Sequence, residues 1–298
     1  MQPYRTFLYT LCCRHEPYCY AIKKKHEEEY HLITWNKKSR IILALSAVLA
    51  AGTTCTASLP VNAASKETKL ACGNLFHDVQ GTLIIKDLKT NRVLVCNPER
   101  SRQRFTPESS FKVANALIGL EVGAVRDEYD VKRWDGVIRP FEVWNRDHSL
   151  ASAMRASAIW YYQAMARDIG SERMKNYVER IHYGNMDISG GIDTFWLNST
   201  LKISAAEQIG FMEDLVDETL PFQEQTMKTV KRIMIDNDQD DYIVHGKTGT
   251  RLSDMGLGWY VGYVERGKRD WVFAANVDSS GTTAKTITLD ALKNLGIM

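Results

Sequence analysis

The sequence has almost no net charge: 38 Lys and Arg stand against 36 Asp and Glu over 298 residues. Eight of those basic and four of those acidic residues fall in the first 63, so the remainder, with 30 and 32, is faintly acidic. The short basic runs Lys23 to Lys25 and Lys37 to Lys38 sit in that same early stretch. A body without a Lys/Arg stripe offers no electrostatic footprint for nucleic acid, which sets that class of partner aside. A long apolar run is also missing. Ile41 to Ala51 is eleven residues, about half of the ~20 that span a bilayer as a helix, so no stable membrane partner is expected. The seven histidines (15, 26, 31, 77, 148, 182 and 245) show no H-x-x-x-H or similar zinc spacing, so no metal is expected. Repeats, low-complexity tracts and Pro/Gly-rich linkers are absent too, which argues against a solenoid or a string of domains. What remains, 44% hydrophobic and 25% charged, is the composition of a chain that folds around a sizeable core.

The apolar run has a context. Asn36 to Arg40 supplies a basic region before it, and small and polar residues follow it to Val61-Asn62-Ala63. Those are the parts of a signal peptide over residues 36–63 with cleavage near Ala63, which predicts a secreted or periplasmic body of residues 64–298. Residues 1–35 form an extension with no role that their chemistry explains. Export would leave two of the six cysteines, Cys72 and Cys96. A pair in an oxidising compartment can bridge. Against this, Cys96 belongs to a hairpin whose partner strand is nearer residue 82, so Cys72 need not come within bridging distance, and the sequence leans away from a disulfide.

Gly81 to Asp87 and Arg92 to Asn97 flank a Lys-Thr-Asn turn and predict a hairpin. Thr106 as N-cap and Pro107 at the first position predict a helix running through Phe111, Val113, Leu117 and Leu120 to Gly123. Further helices are expected over 149–169, 171–181, 204–216 with the capping box Ser204 and Glu207, and 221–234. From Asp241 the period turns strand-like through DYIVHGKTGT, LGWYVGYVER and DWVFAANV, before a last helix over 284–295. Strands at both ends around a helical middle predict one α+β unit whose antiparallel sheet is completed by both ends of the chain.

Ser109 and Lys112 place a hydroxyl and an amine three residues apart at the start of a helix, on nearly one face. This suits a nucleophile and its base. The unpaired N–H groups of a first helical turn suit an oxyanion at Ser109, and apolar Phe111, Val113 and Ala114 suit a desolvated, neutral Lys112. The pattern S-x-x-K alone is weak, for Ser199 to Lys202 repeats it in a polar loop. Lys247-Thr248-Gly249-Thr250 ends a predicted strand with a cation and hydroxyls that suit a carboxylate, and its glycine permits close backbone approach. Taken singly, Ser157 reads as a serine on a long helix, Tyr183-Gly184-Asn185 as a turn and Trp196-Leu197 as core.

Their order carries more. S-x-x-K, S-x-hydrophobic about 48 residues on, Y-G-N, W-L and K-T-G, together with Phe105 to Glu108, Trp144-Asn145, Ser204-x-x-Glu207-Gln208 and Gly258 to Tyr263, resemble the class D β-lactamases, the oxacillinases, across residues 81 to 298. The resemblance implies the serine β-lactamase and penicillin-binding fold and hydrolysis of β-lactam antibiotics by a monomer or homodimer. It implies that Ser109 forms the acyl-enzyme and that Lys112, carboxylated by CO2 to N6-carboxylysine, is the general base; beyond bicarbonate no cofactor is implied. Ser157 is expected to relay a proton, Trp196 to hydrogen-bond the carbamate, and the N–H groups of Ser109 and Thr250 to form the oxyanion hole. Lys247, Thr248, Gly249 and Ile159 are expected to line the substrate site.

Two departures stand out. Ile159 replaces the usual valine, adding a methylene near the carbamate pocket. The region Asp278 to Lys285 lacks the arginine by which many members bind the substrate carboxylate, and Lys285, Arg251 or the hydroxyls of Thr248 and Thr250 are left to replace it. Ser157-Ala158-Ile159 is not the S-D-N of class A enzymes, and a penicillin-binding peptidase would normally carry S-x-N there. A β-lactam sensor that is acylated but not turned over would bring several membrane segments and a signalling domain.

Overall fold

The structure is a computed structural model and describes residues 67–70, 72–73 and 75–298. The expected extension and signal peptide lie outside the described residues. Strand β1 (Glu67–Lys69) precedes the expected hairpin of β2 (Gly81–Asp87) and β3 (Arg92–Cys96). The hairpin pairs Leu83 with Cys96, and β1 takes the other edge of β3 in parallel, with Lys69 opposite Val95. That second edge corrects the expectation for the cysteines: it carries the chain to Cys72, whose Cα stands 5.7 Å from that of Cys96, and the two form a disulfide.

A short helix α1 (Pro98–Ser101) and β4 (Arg104–Phe105) lead to a 3-10 turn, Glu108–Phe111, and then to α2 (Lys112–Glu121). Thr106 is therefore not the cap expected of it. Its hydroxyl donates to Glu108 Oε1 at 2.6 Å, and Glu108 itself sits at φ 51°, so the chain kinks before it winds. Strands β5 (Val131–Lys132) and β6 (His148–Ser149) pair with each other. The single helix expected over 149–169 is two, α3 (Leu150–Ala156) and α4 (Ile159–Ile169), because Ser157 between them is left-handed at φ 53°. Helix α5 (Ser171–Arg180), β7 (Ile203–Ser204) and α6 (Ala205–Val216) follow, the last with both arms of the Ser204/Glu207 capping box formed. Helix α7 (Glu224–Ile233) starts beyond Pro221.

Strands β8 (Ile235–Asp238), β9 (Ile243–Thr250), β10 (Gly258–Arg266) and β11 (Arg269–Val277), then helix α8 (Gly281–Asn294), close the chain. The polar β8 was not expected. The seven-stranded sheet runs β1-β3-β2-β11-β10-β9-β8, antiparallel except at β1, so the N-terminal hairpin and the last strand meet where β2 pairs with β11. Alternate residues face two apolar layers, as the two-residue period of a strand dictates. Leu83, Ile85 and Phe273 pack with Ala284, Ile287 and Leu292 of α8. Ile84, Val272 and Ala274 join the helical layer around Phe111, Leu117 and Met212. Strand β9 is the one that matters for chemistry. Its pairing with β8 reaches only His245, while Lys247 to Thr250 continue to pair with β10. Its outer edge thus lies beside the 3-10 turn. Among the described residues no helix is long and apolar enough to cross a membrane.

Candidate active site

The 3-10 turn and the first residue of α2 form the centre. Lys112 Nζ lies 2.5 Å from Ser109 Oγ; Lys112 has no exposed surface and Ser109 is 7% exposed. The face of Tyr162 stands 5.5 Å from the amine. Burial, and secondarily the charge of Lys247, hold the Lys112 amine well below the usual lysine range, with Glu108 opposing in part. A neutral amine against a hydroxyl has a lone pair for its proton, which the ammonium lacks.

Glycine at 249 lets β9 touch this turn. A Cβ there would stand 2.9 Å from Pro107 O, 3.1 Å from Ser110 N and 3.2 Å from Ser109 N, closer than real side chains settle against backbone. The expected oxyanion donors, the N–H groups of Ser109 and Thr250, therefore belong to two backbones in van der Waals contact. Thr250 Oγ1 accepts from Gly281 N at 2.9 Å and so anchors the strand end to the start of α8. Trp259 Nε1 donates to Thr106 O at 2.9 Å, fixing the entry to the turn from β10.

Ser157 reaches the same place from the helical side. Lys247 Nζ donates to Ser157 Oγ at 3.0 Å and to Thr248 O at 2.8 Å. The break that aims Ser157 is held by indoles: Trp144 Nε1 donates to Ala156 O and Trp160 Nε1 to Trp144 O. The half-buried Ile159 opens α4 just after it. Lys247 is buried, and desolvation pushes its amine down to about 7 despite the carboxylate of Asp236.

Trp196 stacks on Phe111 with ring centroids 5.5 Å apart and meets Phe195 edge-on. Its carbonyl accepts from Glu108 N at 3.0 Å, but its indole Nε1 is buried with no partner. Buried donors rarely stay unpaired, so this one marks a place for an acceptor.

Glu108 has a role that its sequence context does not indicate. Its Oε1 accepts from Thr106 Oγ1 and, at 2.9 Å, from Asn198 N, which ties the Trp196 loop to the turn. Burial raises its proton affinity, against the hydrogen bonds and the nearby Arg251. Gln208 is a second such residue: its amide donates to Ser110 Oγ and to Tyr183 OH beneath the turn. A carboxylate at the head of a helix and a glutamine on a helix face carry no signal of their own.

Other candidates are exposed or already paired. Lys202, of the second S-x-x-K, is exposed. Lys285 is paired to Asp236 at 2.7 Å and Arg251 to Asp254 at 2.7 Å. No group of three His, Cys, Asp or Glu side chains among the described residues is placed to hold a metal ion.

Residues 81–294 match the family model of the penicillin binding protein transpeptidase domain. The chain is 59% identical over 231 residues to "Probable beta-lactamase YbxI" of Bacillus subtilis, covering 78% of this chain and 86% of that protein. To "Beta-lactamase OXA-48" of Klebsiella pneumoniae it is 41% identical over 204 residues, 68% and 77% of the two chains. The crystal structure of a class D β-lactamase from Bacillus subtilis superimposes with a TM-score of 0.76 at 59% identity, covering 77% of this chain and 97% of that one. Fold, motif order and these relatives agree, and the chain belongs to the class D β-lactamases, serine hydrolases that open the cyclic amide of β-lactams.

Proposed function

We propose that Ser109 is the nucleophile of a two-step hydrolysis of β-lactam antibiotics and that Lys112 serves it as a carboxylated lysine. The observation that carries the reading is the buried Lys112 Nζ at 2.5 Å from Ser109 Oγ. Ser109 Oγ gives its proton to the carboxylated Lys112 and bonds to the lactam carbonyl carbon, whose oxygen takes the developing charge between Ser109 N–H and Thr250 N–H. The C–N bond then breaks. Ser157, hydrogen-bonded to Lys247, passes a proton to the departing nitrogen, and water later releases the acid and restores Ser109. Lys247 and Thr248 hold the substrate carboxylate, while Gly249 and Ile159 shape the wall.

Two observations favour the carboxylated form. Burial lowers the proton affinity of the Lys112 amine, which favours the neutral form that reacts with CO2, and the buried Trp196 indole N–H has no acceptor. N6-carboxylysine at 112 would supply a basic oxygen for acylation and for the hydrolytic water. Trp196 would hold it.

We further propose export through the signal peptide of residues 36–63, with residues 64–298 as the mature enzyme and antibiotic resistance as its role. The Cys72–Cys96 disulfide supports an oxidising destination.

The test is hydrolysis of a penicillin and a chromogenic cephalosporin by the purified protein, with and without bicarbonate, while mass spectrometry follows the adduct. Turnover that rises with bicarbonate is expected. A stable adduct without turnover would make the chain a sensor, with Lys112 only an acylation base.

A further inference from the structure

A cavity of about 420 Å³ opens between the end of α3, the β8–β9 edge and α8. Its wall holds three cations, Arg155, Lys247 and Lys285, against one carboxylate, Asp236, with Thr248 among them. Such a wall suits an anion. Lys247 and Thr248 also belong to the strand edge that touches the Ser109 turn, so the cavity continues the reaction site.

The cations differ in what they have left to give. Lys247 is buried, its amine is pushed down to about 7, and Ser157 Oγ and Thr248 O take two of the three protons of its ammonium, leaving one for a ligand. Lys285 is paired to Asp236, which also accepts from Tyr260 OH at 2.6 Å. Outside the wall, Arg251 is bound by Asp254 through both Nε and a terminal nitrogen. Arg155 is exposed in the last turn of α3, two residues before Ser157, and among the described residues its side chain has no ion pair or hydrogen bond. A guanidinium offers a planar fork of donors that matches a carboxylate.

We propose that Arg155 is the residue that receives the ionised carboxylate of the substrate in this cavity, beside Thr248, in place of the arginine that the segment Asp278 to Lys285 lacks. The inference rests on the β-lactam hydrolase reading and assigns a specificity determinant within it.

The test compares a penicillin with its uncharged methyl ester on the wild type, Arg155→Ala, Arg155→Lys, Lys285→Ala and Arg251→Ala. Loss of one charged hydrogen-bonded contact predicts that Arg155→Ala lowers the acid-over-ester ratio of kcat/KM by about tenfold or more, through KM on the acid. Arg155→Lys recovers part of it, since the charge returns without the fork. An unchanged ratio in Arg155→Ala overturns the inference alone, as does a loss carried by Lys285→Ala or Arg251→Ala instead. Equal losses on acid and ester also overturn it, because they report a structural role. A wild type that neither turns over nor is acylated overturns the hydrolase reading and the inference together.

Discussion

Lys247 Nζ lies 3.0 Å from Ser157 Oγ, a contact that joins the end of α3 to the edge of the sheet across 90 residues of sequence. Its strength depends on the charge of a buried amine. With its proton affinity reduced to about 7, Lys247 is an ammonium below that pH and a neutral amine above it. The free ammonium attracts a substrate carboxylate and the amine does not. For a penicillin, kcat/KM is therefore expected to fall as pH rises above about 7, at a higher pH where the anion of a carboxylated Lys112 supports the ammonium, relative to its methyl ester measured in parallel, which cancels ionisations shared by the two substrates. Parallel profiles for acid and ester would remove Lys247 as the titrating group.

Gly249→Ala tests the contact between β9 and the 3-10 turn. The three atoms nearest the added methyl would be backbone atoms of Pro107, Ser109 and Ser110, so strand and turn must separate by some tenths of an ångström. Displacing one oxyanion donor costs about 100-fold in rate. We expect acylation of that order slower in stopped-flow measurements, with near-native far-ultraviolet dichroism; a wild-type acylation rate would place the oxyanion elsewhere.

Trp196→Phe removes the unpartnered indole N–H and keeps a ring against Phe111 and Phe195. If that N–H holds the carbamate, half-maximal activity will need about tenfold more bicarbonate, the worth of one hydrogen bond to a charged group. Lys112→Ala should be nearly inactive with no bicarbonate response at all. A bicarbonate titration of Trp196→Phe that overlays the wild type removes this role from Trp196.

The local part of the site was legible in the sequence and the long-range part was not. Ser109 and Lys112 are three residues apart, so helical geometry alone brings them together. Ser157 is legible through the order of the motifs, but its own context reads as one position on a long helix, and the left-handed break at φ 53°, flanked by the Trp144 and Trp160 hydrogen bonds, has no local signal. The pairing of Cys72 is hidden from the sequence for a similar reason: the three residues of β1, Glu67 to Lys69, decide where it goes, and a strand that short leaves no period to read. The polar sequence of β8 belongs to an edge, where strand patterning is weakest.

Glu108→Gln separates the shape of that buried carboxyl from its charge. Both hydrogen bonds are accepted by Oε1, which glutamine retains. Burial raises the folded-state proton affinity above the unfolded one, so the stabilising share of the protonated acid is complete at low pH and is lost as pH rises through the folded value. Urea midpoints of the two proteins should coincide in acid and diverge toward neutral pH in favour of glutamine. Greater stability of the wild type at neutral pH would mean that the charge of Arg251 outweighs the burial.

Reduction of Cys72–Cys96 should weaken the fold without touching the chemistry. The bridge closes a segment of 24 residues, a loop for which chain entropy predicts about 3 kcal/mol. Cys72→Ser should lower Tm while leaving kcat/KM at 25 °C unchanged, and an unaltered Tm would show the clip to be redundant.

The pairing of β2 with β11 also sets an order of events in time. Residues 81–87 wait as an unpaired edge until residues 271–277 exist, and closure of so long a loop is slow. Helix α2, with its serine and lysine, can wind early, but the strand bearing Lys247 and Gly249 reaches it only when the last quarter of the chain has been made. A growing chain therefore carries its nucleophile long before it carries an enzyme, and activity arrives in one late step rather than by increments.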